Sequence, residues 1–180
     1  MTLPNVSSPL RTIRLFSLIA VGLLVAACDS GGGNDDVLAV GNMEAQVDGT
    51  NWKATNATAN KVTAAGTLSI TITGARVGAS TETMQVAITV QNGELPGPGT
   101  YTLSNDDDFS DGVAAQGSYT PSPSPTSTYF STTGTLTLDA IDDDGASGTF
   151  SFSGENPSSG ETVDVQSGRF NVEFGVSVGV

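Results

Sequence analysis

The sequence has no histidine, one cysteine, and 6 lysines and arginines against 19 aspartates and glutamates in 180 residues. Without an imidazole there is no His-dependent triad, no His-ligated metal and no His proton shuttle. A lone cysteine forms neither an internal disulfide nor a thiolate zinc cage. Helical apolar spacing of useful length is missing everywhere after Cys28. What remains is an acidic chain, long enough for one domain with a core of its own, in which these particular chemistries are excluded.

Arg11 and Arg14 precede an apolar run from Leu15 to Ala27 that ends in small residues. A bilayer-spanning helix takes roughly 20 residues, so this shorter run reads as a signal peptide over residues 1–27. Its end, Leu24-Val25-Ala26-Ala27-Cys28, resembles the lipobox of bacterial lipoproteins, in which cleavage precedes the cysteine and lipid is attached to it. The resemblance implies lipidation of Cys28 and accounts for the single cysteine. An ordinary secretory signal cut near Ala27, leaving a free thiol, is the competing reading. Residues 28–42 then form a tether whose Asp29-Ser30-Gly31-Gly32-Gly33-Asn34-Asp35-Asp36 stretch cannot bury apolar surface. Acidic residues behind the cysteine resemble surface-export signals of some Gram-negative lipoproteins, while Asp directly after it resembles a retention signal of others. A lipid-anchored envelope location at the outer membrane is favoured. Loss of the leader removes two of the six basic residues and no acidic one, which disfavours nucleic acid and anionic membrane surfaces as partners.

From residue 43 the pattern has period two. Met43, Ala45 and Val47 alternate with Glu44 and Gln46; Asp48-Gly49, a pair suited to a type I′ hairpin turn, follows; then Trp52 and Ala54 alternate. Leu68, Ile70 and Ile72 alternate with hydroxyl residues, as Met84, Val86, Ile88 and Val90 do with Gln85, Ala87 and Thr89. Further strands are expected over residues 100–103, 114–119, 128–132, 135–141, 148–153, 162–166 and 169–174. A phrase recurs at Gly66-Thr67, Gly99-Thr100, Gly134-Thr135 and Gly148-Thr149, each followed by alternating apolar residues. Its uneven spacing argues against a solenoid or propeller, and it reads as four strand starts.

These observations predict an all-β domain over residues 43–174, with a tail at 175–180. The expected fold is a single antiparallel β-sandwich or partly closed β-barrel of about ten strands. The predicted inward face holds Val47, Trp52, Leu68, Ile70, Ile72, Met84, Val86, Ile88, Tyr101, Leu103, Leu136, Leu138, Phe150, Phe152, Val163, Val165, Phe170 and Val172. Asp48-Gly49 with Trp52-Lys53-Ala54, Gly99-Thr100-Tyr101-Thr102-Leu103, Gly134-Thr135-Leu136-Thr137-Leu138 with Asp142, Gly148-Thr149-Phe150-Ser151-Phe152 and Gly168-Arg169-Phe170-Asn171-Val172, in that order, resemble a domain-of-unknown-function family of Gram-negative envelope lipoproteins. The resemblance implies no activity or ligand.

Two acidic clusters stand out, Asp106-Asp107-Asp108 with Asp111-Gly112, and Asp139 with Asp142-Asp143-Asp144-Gly145. Calcium wants several oxygens converging from a kinked loop. Aligning either glycine with the invariant glycine of an EF-hand loop puts a serine, Ser118 or Ser151, where the bidentate glutamate belongs. Both clusters therefore read as solvated turns, with no metal or other cofactor expected. A carboxylate-dependent hydrolase would draw its pair from Glu44, Glu82, Glu94, Glu155, Glu161 and Glu173, yet no spacing singles one out. Gly145-Ala146-Ser147-Gly148 resembles a nucleophile elbow only superficially, with one residue too few and no helix after it. Trp52 is expected in the core rather than as a sugar-stacking platform, and Pro121, Pro123 and Pro125 in a short extended loop.

The expected function is a non-catalytic binding or adhesion module on a lipid anchor, with an envelope protein or glycan as partner. The alternatives are a lipocalin-like carrier of an apolar ligand and, behind it, the hydrolase.

Overall fold

The computed structural model describes residues 37–106, 109, 111–121 and 125–175, which belong to one compact unit at 36–180. Residues 1–36, which hold Cys28 and the expected signal peptide, lie outside the described residues, as do Asp107, Asp108, Pro123 and residues 176–180.

Ten strands are built in chain order: β1 (Asn42–Val47), β2 (Thr50–Lys53), β3 (Asn56–Ala64), β4 (Thr67–Val77), β5 (Thr81–Val90), β6 (Gly99–Thr102), β7 (Val113–Thr120), β8 (Tyr129–Ile141), β9 (Gly145–Glu155) and β10 (Thr162–Glu173). They form one antiparallel sheet in the order β2-β1-β10-β9-β8-β7-β5-β4-β3, with β6 paired to β8 off that path. The sheet curls into a half-barrel. Its two edges are successive lengths of one bent segment, since β2 pairs with β1 while β3 pairs with β4. Main-chain bonds from Ala57 to Gly41 at 3.2 Å and from Gly175 to Ala59 at 2.9 Å carry β3 back to the β1 and β10 edge. Of the two architectures open from sequence, this is the partly closed barrel.

Local sequence explains the turns. Asp48 and Gly49 have φ of 48° and 74°, the pair of positive values a type I′ turn requires, and they join β1 to β2 in register. The predicted inward residues are buried except Val47 and Tyr101, which pack partly buried against the core. Trp52 is 1% exposed, a core plug rather than a platform. Large side chains lie over glycines of strands that are not their sheet neighbours, where the curl brings them together. A Cβ at Gly74 would stand 2.9 Å from the Trp52 ring and 2.7 Å from Met43 Sδ, and one at Gly117 2.7 Å from the Phe152 ring. Aromatic bulk thus fills the space that glycine leaves on the inner face.

The structure departs from the sequence expectation in four places. β3 was not anticipated, because its inward positions Ala57 and Ala59 are too small to mark an alternation. Residues 128–132 and 135–141 belong to one strand, β8, interrupted by a register shift between Ser131 and Thr133; residues 162–166 and 169–174 are likewise joined in β10 across a shift between Val165 and Gly168. Gly134 and Gly148 lie inside strands rather than at their starts. A Cβ there would meet the main-chain oxygens of Ser151 and Thr137 at 2.3 and 2.1 Å, so the glycines permit close strand approach at bulges. Pro125–Ser127 forms a 3-10 turn where an extended loop was expected.

Candidate functional site

One end of the barrel gathers the 48–49 and 78–80 turns with the end of β7, the start of β8 and the 156–161 loop, as the strand registers require. At this end the carboxylate of Glu82 on β5 is a hub. Arg76 Nη2 of β4 donates to both of its oxygens at 2.5 and 2.6 Å, and the Tyr119 hydroxyl of β7 donates to Oε2 at 2.8 Å. Burial alone would raise the Glu82 pKa, but hydrogen bonds from Arg76 and Tyr119, the charge of Arg76 and the nearby Trp52 indole outweigh it and hold the carboxyl below its ordinary value. The Trp52 Nε1 completes no hydrogen bond of its own. Burial and the same carboxylate push the Tyr119 phenol well above its usual range. The hub therefore ties β4, β5 and β7 together at Glu82, and Arg76 Nη1 also donates to the Asn51 carbonyl of β2 at 3.4 Å.

The second feature is a polar groove of about 560 Å³ on the outer face of β1, β2 and β10, lined by Glu44, Gln46, Asn51, Lys53, Ser167 and Arg169. Glu44 is held by Arg169 Nε and Nη2, both at 2.6 Å, with Lys53 Nζ at 4.0 Å. Each of the four cations among the described residues is in an ion pair: Lys53 and Arg169 with Glu44, Lys61 with Asp143 and Arg76 with Glu82.

The third is a wedge of about 530 Å³ between β6 and β7, lined by Thr100, Tyr101, Thr102, Ser104, Asp106, Asp111, Val113, Ala114 and Ala115. It exists because β7 leaves β8 after the pairs Ser118–Phe130 and Tyr119–Tyr129, and β6 takes its place along Thr135–Leu138. Where the strands part, the buried Ser131 hydroxyl accepts the Gly117 N–H at 2.9 Å in place of a β8 carbonyl. Between β6 and β7 the described residues share only a parallel bridge at Leu103–Ala115, fastened by Ser104 N–H to Ala115 O at 3.1 Å. Burial raises the pKa of Tyr101, whose hydroxyl donates to the Gly97 carbonyl at 2.6 Å.

The acidic residues named from sequence serve different ends. Asp142 Oδ1 accepts the N–H groups of Asp144 and Gly145 at 2.8 and 3.0 Å, which closes the β8–β9 turn. Asp143 bonds Lys61 Nζ at 2.9 Å, and that lysine lowers the pKa of Asp143. Asp139 is exposed on β8, and Asp106 and Asp111 flank the wedge. Among the described residues no three His, Cys, Asp or Glu side chains group to hold a metal. The six glutamates are dispersed. Glu44 is on the outer groove and Glu82 in the hub; Glu94 lies in the β5–β6 loop, where its N–H meets Asn92 Oδ1. Glu155 ends β9, and Glu161 accepts from Ser159 and Tyr129 at 3.2 and 3.5 Å. Glu173 ends β10. Ser147 lies inside β9, opposite Ala140 and Asn171.

Two buried polar residues were not singled out from sequence. Ser131 stands at the parting of β7 and β8, and Asn156 donates to the Thr126 carbonyl at 2.9 Å while its Oδ1 caps Ser158 and Ser159. Their only sequence signal is a serine in an apolar alternation and an Asn-Pro turn.

Neither the curated proteins nor the solved structures contain a match to this chain. A family model described as "Domain of unknown function (DUF6252)" matches residues 41–172, essentially the whole span from β1 to β10. The chain belongs to the DUF6252 family.

Proposed function

We propose that the chain is an envelope lipoprotein whose barrel is a non-catalytic binding module, held off the outer membrane by a tether from a lipidated Cys28. The anchor rests on the basic, apolar and small-residue succession that ends in Leu24-Val25-Ala26-Ala27-Cys28. The binding role rests on one observation, the β6–β7 wedge: it is a recess within the roughly 300–1,000 Å³ range of ligand sites, set in a barrel whose interior is filled by Trp52, Met43, Phe150, Phe152 and Phe170. A filled interior favours surface binding over carriage of an apolar ligand inside.

Two measurements test this. Cys28→Ser in a Gram-negative host should move the chain from the membrane fraction to the soluble periplasmic fraction; identical fractionation of the two proteins sinks the anchor. The full chain in detergent micelles should then capture a glycan or envelope protein from a defined panel. Binding should weaken at least tenfold in Ala114→Arg, which places a long side chain in the wedge. Undiminished capture by that variant would move the binding role elsewhere.

A further inference from the structure

We infer that the β6–β7 wedge accepts an extended, basic peptide segment by strand addition; this rests on the binding role proposed above and names its ligand class. The backbone provides the first argument. In an antiparallel pair, alternate residues turn their N–H and C=O groups to opposite sides. Leu103 N–H bonds Gly134 O at 2.9 Å, so the odd-numbered residues of β6 bond to β8, and Thr100 and Thr102 direct their main-chain groups toward β7. The Thr100 and Thr137 hydroxyls, 3.1 Å apart, mark the same non-bonded pair from the side-chain face. On β7, Gln91 N–H bonds Gly112 O at 2.9 Å, which sets the even residues toward β5 and turns the main chain of Val113 toward β6.

Beyond the Leu103–Ala115 bridge no ladder joins these two strands among the described residues. That bridge uses the Thr102 carbonyl and both main-chain groups of Ala115, so the open edges of the wedge are Thr100 and the Thr102 N–H on one side and Val113 on the other, an arrangement that takes up an extended peptide through main-chain hydrogen bonds. Sheet edges left open invite such pairing unless charge or shape blocks it.

Charge decides which peptide. Among the described residues the charged ones lining the wedge are Asp106 and Asp111, and the cations Lys53, Lys61, Arg76 and Arg169 are each paired elsewhere. A segment with lysines or arginines spaced at alternate positions would set its backbone against Thr100, the Thr102 N–H and Val113 and its cations beside the two carboxylates, whereas an acidic peptide would be repelled. The hydroxyls of Thr100, Thr102 and Ser104 suit polar side chains between the cations.

The test uses the full chain in detergent micelles and three probes: the peptide Lys-Thr-Lys-Thr-Lys-Thr, its Glu-Thr counterpart and a neutral oligosaccharide, chitohexaose. Amide chemical shifts should change at Thr100, Thr102 and Val113 with the basic peptide alone, and its affinity should fall at least tenfold in Asp106→Asn/Asp111→Asn. A basic peptide with N-methyl groups at alternate residues, which keeps the charge but loses half its donors, should lose binding as well. No binding of the basic peptide, or equal binding of the acidic one, overturns the inference. Chitohexaose bound at the same amides overturns the peptide class while leaving the binding role intact, and a partner that binds the chain undisturbed by Ala114→Arg removes both.

Discussion

Each end of the barrel carries an ion pair made by a cation of the β3–β4 hairpin, and the two pairs differ in what surrounds their carboxylates. At one end Arg76 meets Glu82 in the shelter of Tyr119 and Trp52, with the glutamate side chain 16% exposed. At the other, Lys61 rests over the Phe174 ring at 5.1 Å and reaches Asp143, whose side chain is 90% exposed. The chemistry is one charge pair in each case; water decides its worth. A carboxylate with several donors and little solvent is costly to disturb, because its donors lose a partner they cannot replace, while a carboxylate standing in solvent exchanges protein for water at little net cost, even though Lys61 itself is mostly covered. Lys61 has a second use, since an inward-pointing lysine on β3 blunts the end of a strand whose Val62 is exposed.

The largest effect should come from the packing that shelters the Glu82 end. Trp52→Ala removes the ring that covers Gly74 and should destabilise the barrel by about 3–5 kcal/mol in chemical denaturation. Phe174→Ala at the far end, where the ring is only partly buried, should cost less than half as much. Equal losses would mean that the two ends are closed by packing of the same quality.

Next comes the hub itself. Glu82→Gln should destabilise by about 1–2 kcal/mol, toward the lower end of values for broken pairs because Arg76 keeps part of its side chain in water. The sign with pH follows from the depressed pKa. In the unfolded chain Glu82 titrates near its ordinary value of about 4.3; its contribution is fully present above that and is lost as pH falls through the lower folded value. The gap between wild type and Glu82→Gln should therefore be constant from pH 7 to 5 and shrink below pH 4. A gap that persists unchanged at pH 3 would show that the glutamine disturbs packing rather than charge.

The two ends were also unequally legible. Leu68 to Thr73 and Met84 to Val90 announce themselves because large apolar residues alternate with polar ones over a full strand length. β3 stays silent because Ala57 and Ala59 do inward work with too little surface to show it, and the joins within β8 and β10 are hidden because a bulge breaks the alternation on which the reading depends. Glycine misleads for a physical reason: at Gly66 it supplies a turn with φ of 80°, while at Gly134 and Gly148 it supplies room between strands, and one letter stands for both. The hub lay beyond reach altogether. Arg76 and Glu82 flank one hairpin turn, but Tyr119 is 37 positions from Glu82, and only the sheet order brings them together. The wedge likewise follows from where β7 leaves β8, which no local pattern encodes.

Smaller effects belong to the far end. Asp142→Ala removes the acceptor for two turn N–H groups and should cost about 0.5–1.5 kcal/mol, since both donors turn to water instead. Asp143→Asn should produce a smaller melting shift that vanishes by 0.5 M salt, because the carboxylate that pairs with Lys61 is exposed and screened. A salt-independent loss in Asp143→Asn would make this pair as sheltered as the Arg76–Glu82 one and erase the contrast between the ends.

The smallest effect expected is a specific response to calcium. Acidic loops at Asp106–Asp111 and Asp139–Asp144 repel one another, and general screening relieves that repulsion whatever the cation. In the second cluster Asp142 is occupied in its own turn and Asp143 with Lys61, so neither presents its carboxylate to a shared centre. Sodium chloride and calcium chloride at matched ionic strength should accordingly raise the melting temperature alike. A true site would add RT ln(1 + [L]/Kd), about 2.7 kcal/mol at a hundredfold excess over the dissociation constant, and would do so at calcium concentrations too low to screen. A calcium-specific rise that disappears in Asp142→Asn or Asp144→Asn would make the exposed end, rather than the sheltered one, the place where the chain's carboxylates converge.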